Sequence, residues 1–342
     1  MRAAVYRRFG GPDAVRVEEA PRPPVGRGDV LIRVHASTVS AADHRARSRD
    51  VPRGLGLLAA SGIGLRRPKR RVLGMDVAGV VEAVGRDVTR FATGDEVIAM
   101  LGSAFGGHAE YARIRSDGAV ALKPGTMSFQ DAVTLVFGGL TARGFLRQAD
   151  VVAGAAVLVN GASGAVGSAA VQLAKHAGGL VTAVCSGPNR ELVTSLGADR
   201  VVDHTAQDFT AEPARYDVIV DCVGNAPYER VRHLLRPGGA LLLVVADLPA
   251  ILRAPIRSRR TGHRITADAG KPTGEDLAVL VDLAEAGVYR AVRDRTFDLA
   301  DVAEAHRFVD TGHKRGNVVL RITGGPGPTT SSIEHHSREA AS

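Results

Sequence analysis

The stretch that most constrains this chain is Val157-Leu-Val-Asn-Gly-Ala-Ser-Gly-Ala-Val-Gly167, continuing into Ser168-Ala-Ala-Val-Gln-Leu-Ala-Lys175. Three strand-forming residues enter a glycine-rich turn, and an amphipathic helix leaves it. Small residues in such a turn admit phosphates to the backbone, and the helix N-terminus supplies free N–H groups and positive dipole. The turn therefore reads as a dinucleotide pyrophosphate site made by Asn160, Gly161, Ala162, Ser163, Gly164, Ala165, Val166 and Gly167. Ala162 stands where the usual first glycine of G-x-G-x-x-G falls. An ordinary turn is the rival reading, and the flanking strand and helix count against it.

Around this turn, from Ser128 to about Ala269, helices and strands alternate, as in a doubly wound parallel sheet. The expected strands are Val157–Val159, Leu180–Val184, Arg200–Val202, Val218–Asp221, Ala240–Val245 and Arg264–Ala267. Before it, Met1 to about Lys123 is β-rich, with Val30-Leu-Ile-Arg-Val-His-Ala, Val77-Ala-Gly-Val-Val-Glu-Ala-Val and Gly94-Asp-Glu-Val-Ile-Ala-Met as strands. After Pro272 the pattern predicts a helix (Gly274–Ala286), a strand near Arg295–Phe297, a helix (Asp301–Asp310) and a last strand (Gly316–Ile322) that returns to the first block. The 342 residues suit two domains of about 150 residues each. The expected division is 1–123 with 272–323, 124–271 between them, and a disordered tail over 324–342, rich in Gly, Pro, Ser and Thr.

No apolar run reaches the ~18 residues of a membrane span, and the N-terminus reads as a strand with no secretory apolar region behind it. Two cysteines, Cys185 and Cys222, fall in core strands and make neither a disulfide framework nor a C-x-x-C motif. A reducing, cytoplasmic setting follows. The net charge of +8 is concentrated in Arg66-Arg-Pro-Lys-Arg-Arg71 and in Arg253-Ala-Pro-Ile-Arg-Ser-Arg-Arg260 with Arg264. Aromatic content is 4%, without tryptophan, so no stacking platform accompanies the basic runs and nucleic acid is not the expected partner. Solvated loops are the expected state of both runs; peripheral contact with anionic membranes rests on these arginines alone.

Gly74-Met-Asp-Val-Ala-Gly-Val-Val-Glu-Ala-Val-Gly85, Phe91-Ala-Thr-Gly-Asp-Glu-Val97, Gly107-His-Ala-Glu-Tyr-Ala112 and Gly138-Gly-Leu-Thr-Ala142 occur in a diagnostic order and spacing. From Met1 to about Ile322 the chain resembles the medium-chain dehydrogenases/reductases, and within them the zinc-independent quinone oxidoreductases. The resemblance implies an α/β protein: a discontinuous GroES-like β-rich catalytic domain and a Rossmann domain, with the active site in the cleft between them. It also implies a homodimer made by pairing Rossmann edge strands. In zinc-dependent relatives the catalytic ligands occupy positions that match Ser40, Met75 and Phe137 here. Met and Phe cannot replace thiolate or imidazole, and serine is a poor zinc ligand, so no metal is expected. His35, His44 and His108 have no family ligand spacing, and Leu101–Ile114 has no cysteine for a structural zinc lobe.

Cofactor choice is read at the end of the second Rossmann strand, where an NAD enzyme places Asp or Glu. Here stand Cys185 and Ser186, with Asn189 and Arg190 following and no acid before Glu191. A carboxylate would repel a 2′-phosphate, whereas Ser186, Asn189 and Arg190 can donate to it, so NADPH is expected over NADH; Arg190 could instead be a solvated helix charge. The family resemblance adds His204, where a tyrosine often stands, and Val223, Val245 and Ala246 along the nicotinamide half. It adds Thr141, which could instead cap a helix, and Asn317 or Arg315 near the pyrophosphate.

Without zinc, the reaction needs orientation and stabilisation of charge developing on the acceptor oxygen. Thr38-Val-Ser-Ala-Ala-Asp-His-Arg-Ala-Arg47 is expected to line the cleft, with Ser40, His44 and Arg45 as candidate donors and Asp43 ordering the loop. Arg47 to Arg71 is expected to form a mobile lid over the acceptor pocket. The reading is an NADPH-dependent, zinc-free oxidoreductase delivering hydride to a quinone, enone or similar activated carbonyl, with a small-molecule acceptor as its partner. Alternatives are a ketone or aldehyde reductase of the same fold, or a catalytically weak nucleotide-binding scaffold or sensor.

Overall fold

The computed structural model describes residues 1–322; the tail expected to be disordered lies outside the described residues. The chain opens with an antiparallel ribbon of β1 (Arg2–Tyr6) and β2 (Val15–Glu19). There follow β3 (Asp29–Val39), α1 (Ala41–Ser48), α2 (Gly56–Ile63), β4 (Asp76–Val84), β5 (Glu96–Met100), β6 (Tyr111–Arg115) and β7 (Val120–Leu122). β3 is the hub of this region, pairing antiparallel with both β4 and β6. Its length and the burial of most of its eleven residues suit a strand covered on both faces. A short helix α3 (Phe129–Ala132) and the longer α4 (Val136–Ala149) then carry the chain out of this sheet.

The middle of the chain alternates strands and helices: β8 (Ala156–Asn160), α5 (Ala165–His176), β9 (Leu180–Cys185), α6 (Arg190–Ser195), β10 (Arg200–Asp203), β11 (Tyr216–Asp221), α7 (Tyr228–Val231), β12 (Leu235–Leu243), α8 (Leu248–Thr261) and β13 (Arg264–Thr266). The six strands are parallel and ordered β10-β9-β8-β11-β12-β13. Val157, Leu158, Val159, Ile219, Val220, Leu241 and Leu242 are fully buried. Such unbroken apolar runs, rather than alternation, are what a sheet covered on both faces demands. The order reverses between β8 and β11, so the connections leaving their carboxyl ends diverge and open a crevice.

The chain then returns through α9 (Gly274–Glu285), β14 (Arg293–Asp298), α10 (Val302–Asp310) and β15 (Asn317–Arg321). β15 pairs antiparallel with β3, bringing Val318 opposite Val39 and completing a seven-stranded sheet. Residues near the C-terminus thereby reach the mouth of the crevice. Among the described residues no helix is long and apolar enough to cross a membrane.

One expectation is corrected. Arg253–Arg260, read as a solvated loop, lies within α8. Asp247 accepts from the Ala250 N–H at the start, Pro249 opens the first turn, and Gly262 ends the helix at φ 74°. These caps bound a helix whose arginine-rich, largely exposed composition conceals it. Arg66–Arg71 does remain irregular and exposed apart from Pro68.

Candidate active site

The crevice holds a cleft of about 1040 Å³ at the carboxyl ends of β8, β9 and β11. Its floor is the glycine turn. Gly161 adopts φ +78°, which only glycine takes without strain, and its N–H and that of Ala162 both donate to the Val184 carbonyl at 3.0 Å. Ala162 is fully buried, so its methyl packs into the core at the position where the common fingerprint has glycine. Gly167 is required for approach: a Cβ there would stand 2.1 Å from the Gly161 carbonyl oxygen. Gly164 begins α5 with no side-chain cap, leaving first-turn N–H groups open to the cleft. Asn160 is pinned across the sheet by Asp221, to which its Nδ2 donates at 2.8 Å.

The turn is also clamped from above. The Gly316 N–H donates to the Ser163 carbonyl at 2.7 Å, and Lys314 Nζ donates to the Gly316 carbonyl at 2.6 Å. Lys314 and Arg315 both line the cleft. Burial pulls the Lys314 ammonium down from its ordinary 10.5 to about 8, with Asp294 opposing that shift. At the far end of the cleft lie Cys185, Ser186, Asn189, His204 and Arg230. Asn189 Nδ2 donates to Ser186 Oγ at 3.0 Å and to Ser163 Oγ at 3.1 Å, tying the end of β9 to the glycine turn. Arg230 donates to Asp208 and to the Asn225 carbonyl. Burial raises the Cys185 and Cys222 thiols, with help from Asp203 and Asp221 respectively, so neither is a ready thiolate.

The opposite wall comes from α1 and α10. Ser40 Oγ donates to Asp43 Oδ2 at 2.6 Å and accepts from the Asp43 N–H, forming a capping box, while Asp43 Oδ1 accepts from the Gly74 N–H at 2.8 Å. The loop-ordering role expected of Asp43 is thus visible in its contacts. Ser40, offered as a donor, has its hydroxyl proton committed to Asp43. His44 also lines the cleft; its Nδ1 meets Asp310 Oδ1 at 2.6 Å, and its Nε2 lies 3.6 Å from Asp50. Arg47 is fully buried and grips both Asp310 oxygens, at 2.6 and 2.7 Å, and the Gly10 carbonyl at 2.7 Å. It is a strut of the wall, which corrects the expectation that the lid begins there. Beneath α1, burial pushes the Asp76 carboxyl up to about 7, although two hydrogen bonds from Thr38 pull it down.

A second cavity of about 470 Å³ adjoins the cleft and shares Arg45, Asp50 and Val223 with it. Val245 and Ala246 line this cavity, as do Pro52 and Arg53 from the segment before α2.

Four sequence-predicted residues stand apart from both cavities, the first being Ala162, buried beneath the turn. Thr141 sits mid-helix in α4, its Oγ1 donating to the Phe137 carbonyl at 2.8 Å, so it is neither a cap nor a lining residue. Asn317 is buried, with its Nδ2 spent on the Thr134 and Val292 carbonyls. Arg190 is exposed and reaches the Val201 carbonyl at 3.4 Å. Lys314, Arg230 and Asp310 were missed. Lys314 and Arg230 carry no motif, and Asp310 is placed beside His44 only by the return of α10, 266 residues further along the chain.

The comparisons with known proteins agree with this geometry. The alcohol dehydrogenase GroES-like domain family matches residues 26–124, and the zinc-binding dehydrogenase family matches 196–320. The chain is 32% identical over 338 residues to the chloroplastic quinone-oxidoreductase QR1 of Triphysaria versicolor, covering 94% of this chain and 98% of that protein. The chain belongs to the medium-chain dehydrogenases/reductases, in their quinone oxidoreductase-like branch. It is also 32% identical over 332 residues to the chloroplastic NADPH-dependent alkenal/one oxidoreductase of Arabidopsis thaliana, covering 94% of this chain and 79% of that one. The solved quinone oxidoreductase of Coxiella burnetii superposes with a TM-score of 0.84 at 28% identity, covering 94% of this chain and 99% of that one. Zinc binding in the second family description does not fit this member's donors. Ser40 is engaged with Asp43, and Met75 and Phe137 offer no thiolate or imidazole. Among the described residues no group of three His, Cys, Asp or Glu side chains is placed to hold a metal.

Proposed function

We propose that this protein is an NADPH-dependent, zinc-free oxidoreductase that reduces a quinone, an enone or a similar activated carbonyl. One observation carries the reading: an open helix N-terminus and glycine turn face, across one cleft, a wall with anchored His44. Bound NADPH supplies the hydride. The pyrophosphate is assigned to Gly161–Gly167 with Lys314 and Arg315, and the 2′-phosphate to Ser186 and Asn189 with Arg230 and His204. The absence of an acid at the end of β9 supports NADPH over NADH. Arg190, which lines neither cavity, is outside this set.

On the acceptor side, Asp310 holds the His44 ring by Nδ1, and Arg47 holds Asp310. His44 then presents Nε2 toward the space shared with Asp50. Hydride addition would move an electron pair onto the acceptor oxygen, and a proton from Nε2 of the doubly protonated His44 ring, or from water held there, would complete the reduction; the neutral ring, its Nδ1–H spent on Asp310, has none to give. Ser40 orders α1 rather than giving up its proton. Val223, Val245 and Ala246, assigned to the nicotinamide half of the cofactor, bring apolar side chains to the wall beside the acceptor.

The experiment is an assay of quinones, enones and aldehydes with NADPH and with NADH, using stereospecifically deuterated cofactor. Deuterium at the β-carbon of enone products is expected, along with a clear NADPH preference. Reduction of aldehydes alone would favour the ketone or aldehyde reductase reading, and tight NADPH binding with no turnover would favour the scaffold. For organisation we propose the division 1–123 with 272–323 and 124–271, and a homodimer supported by β13, a three-residue edge strand of the parallel sheet. The unpaired Cys185 and Cys222 support a reducing, cytoplasmic setting.

A further inference from the structure

The second cavity has an unusual balance of charge. Much of its lining is apolar, with Val51, Pro52, Val223, Val245, Ala246 and Ala250. Two guanidinium groups, Arg45 and Arg53, also line it. Most arginines near acids in this protein are paired: Arg47 with Asp310, Arg230 with Asp208, Arg321 with Asp298. Among the described residues, neither Arg45 nor Arg53 has a side-chain hydrogen bond or an ion pair.

The carboxylates lining the same cavity are otherwise engaged. Asp221 Oδ1 accepts from Asn160 Nδ2 and from the Val223 and Gly224 N–H groups, and its Oδ2 accepts from the Ala226 N–H. Asp247 caps α8 through the Ala250 N–H at 2.8 Å. Asp50 is exposed and turns its Oδ2 toward His44. Arg45 is half-buried, and its desolvation lowers the guanidinium from its ordinary value against a smaller opposing pull from Asp50. A half-buried, unpartnered cation in an apolar wall is costly unless an anion arrives to meet it.

Both residues are anchored by their backbones, although the Arg53 side chain is exposed. Arg45 is held by α1 above the cleft, and the Arg53 carbonyl accepts from the Leu248 N–H at the start of α8, at 3.0 Å. We propose that the acceptor is an amphiphile whose acidic group, a carboxylate or phosphate monoester, is received by Arg45 and Arg53 while its apolar body lies along Val223 and Val245. This deepens the reading of the site as an acceptor pocket and rests on it. Planar, forked guanidinium groups suit either anion, and their hydrogen bonds are charge-assisted.

The test uses the full chain loaded with NADP⁺, which allows binding without turnover. Three alkyl vinyl ketones of equal chain length, ending in a carboxylate, a phosphate monoester or a methyl ester, are titrated by calorimetry. At least one acid is expected to bind about tenfold tighter than the ester, a preference that fades with added salt, and the tighter acid identifies the anion. In the Arg45→Gln/Arg53→Gln double variant the acid-to-ester ratio is expected to fall to about one. Equal binding of ester and acids by the wild type, or a ratio that survives in the double variant, would overturn the anion site. Acid-selective binding with no reduction of any enone by NADPH would leave this site standing and sink the proposed reaction instead.

Discussion

Around the pyrophosphate turn the cleft is made chiefly of main chain: the Gly161 turn, the open start of α5 and the Gly316 strand edge that bridges to Gly164. The acceptor wall is made of side chains gathered from distant segments, with His44 and Arg45 from α1, Asp310 from α10, and Val223 and Val245 from beyond β11 and β12. A backbone site depends on a few small residues at fixed spacing within one stretch. A side-chain site depends on the whole fold to bring its members together, and it can change ligand by single substitutions. The two halves should therefore fail in different ways.

The largest effect is expected on the acceptor side and should appear as lost stability. Arg47→Met removes a fully buried guanidinium from Asp310 and the Gly10 carbonyl. Breaking one partner of a buried pair costs about 3–5 kcal/mol, read as a lower urea midpoint at unchanged slope. Adding Asp310→Leu should recover part of that loss, because it removes the stranded carboxylate. NADPH affinity of the folded protein should hold. If it falls with stability, the two halves are one unit and the comparison breaks.

The complementary variant is Gly167→Ala. Its added Cβ would meet the Gly161 carbonyl oxygen at 2.1 Å and the Ala162 Cα at 2.8 Å, both backbone atoms that cannot swing aside. Such overpacking costs about 1–3 kcal/mol, and displacement of the turn should raise the NADPH Kd by about 30-fold or more. Gly164→Ala is the control for the fold, since its nearest neighbour would be the Gly161 oxygen at 3.6 Å. Its melting temperature should match that of the wild type.

This division also explains what could be read before the fold was known. The strand–turn–helix at Val157–Lys175 is local, so its residues identify themselves by spacing, and the doubly wound parallel sheet around it follows from the alternation of helices and strands. Cys185 and Ser186 were legible for the same reason: they end a strand whose position the turn dictates. Lys314 and Asp310 were not legible, because their roles depend on β15 pairing with β3 and on α10 packing beside α1. The surroundings of Asn317 likewise depend on the fold. This residue is near the pyrophosphate in sequence pattern, yet strand geometry turns its amide onto the Thr134 and Val292 carbonyls. The arginines of α8 obscured a helix whose caps, Asp247 and Gly262, lie just outside the charged run.

A smaller effect tests the cofactor half at its far end. Ser186→Asp introduces a carboxylate where Asn189 now bonds the hydroxyl. The ratio of NADPH to NADH kcat/KM is expected to fall about tenfold or more, corresponding to ~1.4 kcal/mol, and turnover with NADH should persist. An unchanged ratio would move the 2′-phosphate away from Ser186 and toward the exposed Arg190.

The smallest expected effect is a pH dependence centred on Lys314. In the cofactor-free protein its ammonium titrates at about 8, against an ordinary 10.5. A lysine depressed by folding is charged in both states at low pH and, between those two values, charged only when unfolded. The fold therefore carries a desolvation penalty below about pH 8 that fades as pH rises through 8 to 10.5, and stability should increase over that window. Asp76, raised from 3.8 to about 7, acts in the opposite direction and in a lower window, removing stability as pH rises from 3.8 to 7. Cofactor binding should run against the Lys314 stability trend. The diphosphate attracts the ammonium and not the amine, so NADPH affinity should weaken by several-fold between pH 7 and pH 9.5, measured by nicotinamide fluorescence. Lys314→Met should flatten both profiles in that range. A binding profile that stays steep in the variant would show that the titrating charge is not that of Lys314, and one already flat in the wild type would leave the pyrophosphate to Arg315 or to the backbone.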